Sequence, residues 1–138
     1  MRAVDVVAAV FEAVRADDLD AAVAFFSEDC VIRAATGTYA GREGVRAWRA
    51  SRVARAGPPL AAGEPEAVDA THVLVPLTAE VEMNGSVQSV RVTGVWTVVE
   101  GLVTEVRGVP GGRRMALTFL QGIDDPSTGG GEDVQDLG

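Results

Sequence analysis

Few side chains in this sequence can move a proton near neutrality. An imidazole ordinarily titrates between pH 5 and 8, so His72, the only histidine, is the first candidate base. It follows Asp69-Ala70-Thr71, where a strand is expected to begin, and such a position equally suits an exposed residue with no catalytic part. Glu105 and Arg107 stand two apart on the last expected strand and therefore share a face. Arg33 lies on the first expected strand. If both strands turned these residues inward, Arg33, Glu105 and Arg107 would meet in one acid and charge-stabilising cluster. Strict alternation points the other way: Arg33 opposes Ala34, and Glu105 and Arg107 oppose Thr104 and Val106, which makes the charged set a solvated ion-pair cluster. No catalytic residue is therefore assigned. If the protein is an enzyme, its set is His72, Glu105, Arg107 and Arg33.

Residues suited to holding a ligand are more numerous. Trp48 and Trp96 can clamp a flat apolar molecule or simply fill a core. Tyr39 can place a hydroxyl at a pocket mouth or anchor a surface loop, and Met83 can touch a ligand or fill a gap. Gln88 and Thr104 are the polar groups expected on the apolar side of the sheet, where they could orient a ligand. Cys30 reads as a small buried hydrophobe. It has no cysteine or histidine partner at metal-ligand spacing, and no glycine pattern resembles a phosphate loop. No metal or cofactor is expected. The absence of lysine excludes a Schiff-base step.

The elements that must position these residues are organised around a hairpin from Val73 to Val99. Asn84-Gly85 between two alternating apolar runs is a strong hairpin signal, because both central residues of a type I′ turn need positive φ. That turn sets Met83 against Ser86, Leu77 against Val92, Val75 against Gly94 and Val73 against Trp96. One face then carries Val73, Val75, Leu77, Ala79, Val81 and Met83 with Val90, Val92, Gly94, Trp96 and Val98, and no titratable group. The other face is half polar, with Leu74, Val87, Val95, Thr97 and Val99 as its apolar part, a patch suited to a homodimer. Residues 5 to 16 read as an amphipathic helix with Asp5 as a possible N-cap, and Leu19, Val23 and Phe26 continue on a second short helix after Asp17-Asp18. Residues 30 to 35 read as a strand and 36 to 41 as the loop leaving it. A third helix runs from about Glu43 to Ala56, its arginines at 42, 46, 49, 52 and 55 toward solvent and Val45, Trp48 and Val53 inward, and Gly57-Pro58-Pro59 ends it. Residues 57 to 64 read as loop and 65 to 69 as a short strand. Glu100-Gly101 turns into a last strand from Leu102 to Val109. Residues 113 to 121 form a closing apolar segment, strand or helix. This order predicts an α+β fold, a curved antiparallel sheet wrapped around a long helix, with a helix pair at the N-terminus.

At 138 residues one domain is expected, over residues 1–122, followed by a disordered acidic tail over 123–138. Five acids and no base in that tail account for most of the net charge of −8. The mildly acidic remainder has no electrostatic reason to seek nucleic acid or anionic lipid. Asp5 and Glu12 interrupt any apolar signal core, and a lone cysteine forms no intrachain disulfide, so a cytoplasmic protein is expected; a bacterial source is also expected.

Ala16-Asp17-Asp18-Leu19-Asp20-Ala21 with Phe25-Phe26-Ser27-Glu28-Asp29-Cys30-Val31-Ile32 resembles the helix-helix-strand opening of the SnoaL-like proteins of the nuclear-transport-factor-2-like superfamily. Tyr39-Ala40-Gly41-Arg42-Glu43-Gly44-Val45 resembles that family's entry to the third helix, and residues 101 to 107 its final strand. The resemblance implies a cone with an interior pocket. The family's enzymes, among them ketosteroid isomerases, limonene-epoxide hydrolases, scytalone dehydratases and polyketide cyclases, place acids, histidines or tyrosines in that cone. The corresponding positions here fall at Val10, Ala34 or Ala35, Leu77, Ala79, Gly94 and Gly108, none of which can do the chemistry. The resemblance thus implies a pocket protein for a small apolar molecule, lacking the usual acid and base residues. The alternatives are an isomerase, cyclase or epoxide hydrolase of polyketide or terpenoid metabolism using other residues, and a dimerisation or assembly module with a closed pocket.

Overall fold

The Asn84-Gly85 turn closes as its residue types require, with φ of 54° and 82°. It joins β4 (His72–Met83) to β5 (Ser86–Val99), and the register is the expected one from Met83 opposite Ser86 to Val73 opposite Trp96. The computed structural model describes residues 1–34, 37–56 and 64–124, with the backbone alone at 51–56, 78–83, 87, 89 and 122–124. A second turn with positive φ, at Glu100 and Gly101, leads into β6 (Leu102–Pro110).

The sheet is larger than expected and mixed. β1 spans Phe26–Ala34, four residues earlier at its start than the sequence suggests, and Gly37–Ala40, read as loop, is a short strand β2 paired antiparallel to it. With β3 (Glu66–Ala67) the order is β2-β1-β6-β5-β4-β3. The α+β fold is the expected one, its strand pairs antiparallel except for the parallel β1–β6 pair. β6 follows the hairpin into the middle of the sheet, and its free edge is satisfied by the first strand, which runs in the same direction.

Among the described residues four helices flank the sheet. In α1 (Ala3–Arg15) the N-cap is Arg2, and Asp5 is instead the third helical residue, whose Oδ2 accepts the Arg2 backbone N–H at 3.1 Å. Asp18 caps α2 (Leu19–Val23) by accepting the Ala21 N–H at 3.1 Å, and Asp17 adopts φ of 59° between the two helices. α3 spans Gly41–Ala56; a side chain at Gly44 would bring its Cβ within 2.8 Å of the Tyr39 carbonyl carbon, so only glycine lets β2 and α3 meet so closely. The undecided closing segment is a helix, α4 (Arg113–Asp124), which runs past the domain boundary expected at residue 122. Most of the loop expected over 57–64 (residues 57–63) and of the disordered tail expected over 123–138 (from 125 onward) lies outside the described residues.

Two cores result. On one face of the sheet, Val6, Val7 and Val10 of α1 pack against Ile32, Val73, Val75, Trp96, Val98, Val103 and Val106. On the other, Leu74, Val95 and Val109 are buried under Ala116 and Leu120 of α4. Leu74 and Val95 are therefore covered by the chain's own last helix, a correction to their expected place in a homodimer interface. Arg113 at the start of α4 holds both oxygens of Glu66 at 2.9 Å through Nε, and this contact lowers the Glu66 carboxyl below its usual value. Ala116 is wholly buried. Replacing it with Asp puts an unpaired carboxylate against Leu74 and Val95, which costs several kcal/mol. The expected outcome is release of α4, seen as faster amide exchange over 113–121 and at Leu74 and Val95 with protection of the α1 core retained.

Candidate functional site

β1, β4, β5, β6 and α3 together wall a cavity of about 530 Å³. Its apolar lining includes Ile32 and Ala34 of β1, Trp48 of α3, Leu77 of β4, Val92 and Gly94 of β5, and Val106 of β6. At the rim the lining passes over the end of β1 to Arg33, Arg107, Pro110 and Phe119. A smaller cavity of about 40 Å³ lies between Val10, Phe11 and Val14 of α1, Trp48 and Arg49 of α3, Leu77 and Trp96. Trp48 and Leu77 border both spaces.

The interior shape is set largely by Trp96. Its indole is buried, with Phe11 and Phe26 tilted against it at centroid distances of 5.5 and 5.9 Å. It leans along β5 over Gly94, where an added Cβ would lie 3.0 Å from Trp96 Nε1 and 3.3 Å from Leu77 Cδ1. Gly94 is thus the position that allows a tryptophan to lie flat inside the sheet face. The Trp96 Nε1–H itself has no hydrogen-bond partner, nor has Arg49 Nη1, and both atoms are buried.

The charged residues take the outward positions predicted by alternation, yet they do assemble. Glu105 Oε2 accepts from Arg33 Nε at 3.0 Å and from Arg107 Nη2 at 3.3 Å, on the face that carries α4. Arg107 also stacks over the Phe119 ring at 5.1 Å. Arg33 and Arg107 border the mouth of the large cavity, whereas Glu105 is not among its described lining residues.

His72 lies away from both cavities. Its Nδ1 is 3.0 Å from each Asp69 carboxylate oxygen, and Asp69 Oδ1 also accepts the backbone N–H groups of Thr71 and His72 at 2.8 Å. The residue belongs to a turn that starts β4. Partial burial would raise the Asp69 carboxyl, but these hydrogen bonds outweigh it and hold the group below its ordinary value.

Of the ligand-contact candidates, Trp48 and Trp96 are brought together around the inner cavity. Tyr39 is half-buried on β2 against the inner core, away from the described cavity lining. Gln88 is exposed near the hairpin turn. Thr104 departs from the expected inward position, because a bulge opposite Thr97-Val98 shifts the alternation and gives the inner face to Val103. Its hydroxyl donates to the Thr97 carbonyl at 3.4 Å. The Met83 side chain lies outside the described residues. Cys30 is buried, and burial pushes its thiol up, away from the reactive thiolate. Among the described residues no group of three acids, histidines or cysteines could hold a metal ion.

Sequence reasoning missed Arg49 by placing all the α3 arginines toward solvent. Arg42 Nε instead donates to the Phe26 carbonyl at 2.9 Å, Arg46 pairs with Asp20 at 2.7 Å, and Arg49 lines the inner cavity. The available signal was spacing: Val45, Trp48 and Arg49 fall at i, i+3 and i+4.

The sequence pattern of the SnoaL-like domain matches residues 7–106. This chain belongs to that family. No curated protein matches it. An uncharacterised cystatin-fold protein from Novosphingobium aromaticivorans superposes with a TM-score of 0.63 at 22% identity, over 79% of this chain and 98% of the other. A Mycobacterium tuberculosis protein in complex with estradiol-17β-hemisuccinate gives 0.60 at 21% identity over 82% and 95%. A computationally designed 17-OHP binder gives 0.59 at 21% identity over 82% and 93%. At these identities the likeness is one of fold, the cystatin-like cone. No helix among the described residues is long and apolar enough to cross a membrane.

Two outcomes follow from this geometry. Gly94→Ala forces its new methyl against a tryptophan that Phe11 and Phe26 keep in place, so it destabilises by about 1–3 kcal/mol in denaturant unfolding and shifts the tryptophan emission. Because the Asp69 carboxyl is depressed in the folded state, its ionised form stabilises the fold above the unfolded value of 3.8, and that stability is lost as pH falls through the folded value. Asp69→Ala therefore lowers the melting midpoint at pH 7, and the gap from the unsubstituted protein narrows below pH 3.8.

Proposed function

We propose that this protein binds a small, largely apolar molecule inside the cone and performs no acid–base chemistry on it. The observation that carries the reading is the make-up of the large cavity. Its volume of about 530 Å³ is within the range of small-molecule sites, and its described lining holds neither a carboxylate nor an imidazole. Proton transfer needs a donor or acceptor within hydrogen-bond reach of the substrate. One structural neighbour in complex with a steroid derivative and another designed as a 17-OHP binder support the reading by analogy of fold.

A second reading, an isomerase, cyclase or epoxide hydrolase using other residues, draws on the Arg33–Glu105–Arg107 cluster at the cavity mouth. Glu105 there is held by two guanidinium groups on the outer face, a poor place for a base. A third, a dimerisation module in the cytoplasm, keeps Val99 as an exposed apolar residue but loses Leu74 and Val95 to α4. Sedimentation as a monomer at micromolar concentration removes it.

A thermal-shift screen against steroids, terpenes and aromatic polyketides tests the first reading. A ligand at a hundredfold excess over its Kd stabilises by about 2.7 kcal/mol, several degrees in melting midpoint. Recovery of the retained compound unchanged after prolonged incubation is the expected result. Chemical conversion that Glu105→Gln abolishes would establish the enzyme reading instead.

A further inference from the structure

The mouth of the large cavity carries charge of one sign. Of the described residues that line it, Arg33 and Arg107 alone are charged, and both are basic. Their acid, Glu105, is not part of that lining. The two guanidinium groups lie close together. Arg33 Nε and Arg107 Nη2 meet the same oxygen, Glu105 Oε2, at 3.0 and 3.3 Å. The Arg107 guanidinium carbon lies 5.1 Å from the centre of the Phe119 ring, which itself lines the cavity. The charged ends are thereby placed at the lip.

Stability does not account for this arrangement. An exposed ion pair contributes little, and a second arginine drawn to an oxygen already taken by the first adds repulsion between like charges. Each arginine gives Glu105 a single contact, unlike Arg113, which holds Glu66 through both Nε and Nη2. With side chains 46% and 36% exposed, Arg33 and Arg107 are reachable from solvent, and no other acceptor for them is found among the described residues. The cluster holds two positive charges against one negative. A further anionic group, with two oxygens spaced for a guanidinium fork, balances the charge and supplies the missing acceptors. A carboxylate is such a group.

We infer that Arg33 and Arg107 form an anion clamp at the cavity mouth, so that the ligand is an apolar molecule whose carboxylate stays at the lip while its hydrocarbon body lies against Leu77, Val92 and Val106. This rests on the proposed binding function and narrows its ligand class. Glu105 is then a positioning residue, which holds the two guanidinium groups side by side and competes with the ligand's anion for them.

Calorimetric titration with three naphthalenes of similar shape tests it: 2-naphthoate, the neutral acceptor 2-acetonaphthone, and the cation 2-naphthylmethylammonium. At low ionic strength 2-naphthoate is expected to bind about tenfold more tightly than the ketone, with the cation weakest, and the margin should shrink as added salt screens the partly exposed site. Arg33→Gln and Arg107→Gln should each reduce that margin, and the double variant should abolish it. Glu105→Gln should strengthen naphthoate several-fold and the ketone not at all, a gain that a merely structural ion pair would not give. Gly108 lines the same mouth, and a Cβ there meets only Val92 Cγ1 at 3.5 Å and the Arg33 carbonyl oxygen at 3.9 Å, so Gly108→Leu is accommodated and narrows the entrance. It should weaken all three compounds. If the three bind alike, or the anion preference survives the double variant, the clamp is wrong while the binding pocket stands. If naphthoate binding is untouched by Gly108→Leu, the arginines take anions only at the outer surface and the inference is overturned. If none binds, the pocket reading fails and the clamp falls with it. Should the arginine variants not fold, the other two arms decide: no gain from Glu105→Gln together with no loss in salt overturns the clamp.

Discussion

Positive φ at two successive residues, Asn84 and Gly85, governs the interior of this protein. It fixes which residues of β4 and β5 face each other, and since side chains alternate along a strand, one residue of slip would turn Val73, Val75 and Trp96 out of the core. The register puts Val75 opposite Gly94 and Val73 opposite Trp96. The indole can then lie over the glycine, braced by Phe11 from α1 and Phe26 from β1. The cavity is the space this arrangement leaves unfilled beside Leu77, Val92 and Val106.

The two faces of the sheet are handled differently. The inner face meets α1 and α3 over a mixed boundary, part close-packed and part hollow. The outer face is covered by α4 through Ala116 and Leu120, and Arg33, Glu105 and Arg107 join in a cluster on that face. Among the described residues no carboxylate or imidazole lines the large cavity, and half-buried Arg49 borders the smaller one.

Much of this was legible because it is local. The turn, the strand register, the three N-terminal helices and the outward placing of Glu105 and Arg107 follow from φ preferences and periodicity. The parallel β1–β6 pairing was not legible, since it joins residues some seventy positions apart and no local pattern specifies it. The Thr104 bulge reverses alternation for a single residue, which strict parity cannot anticipate. The apolar outer patch points to a homodimer in the sequence, whereas α4 covers Leu74 and Val95; composition does not distinguish a second subunit from the chain's own helix. Arg49 was hidden by its residue type: a guanidinium on a helix is ordinarily solvated, and here helical spacing leaves the residue half-buried beside the small cavity.

The central claim, that the hollow between β4, β5, β6 and α3 is a ligand site, is tested most directly by methyl NMR during titration with 2-naphthoate. The account predicts shifts concentrated at Ile32, Leu77, Val92 and Val106, with the outer-face methyls of Leu74, Val95 and Leu120 unmoved. Saturable shifts confined to that outer set, or none at the inner one, would contradict it.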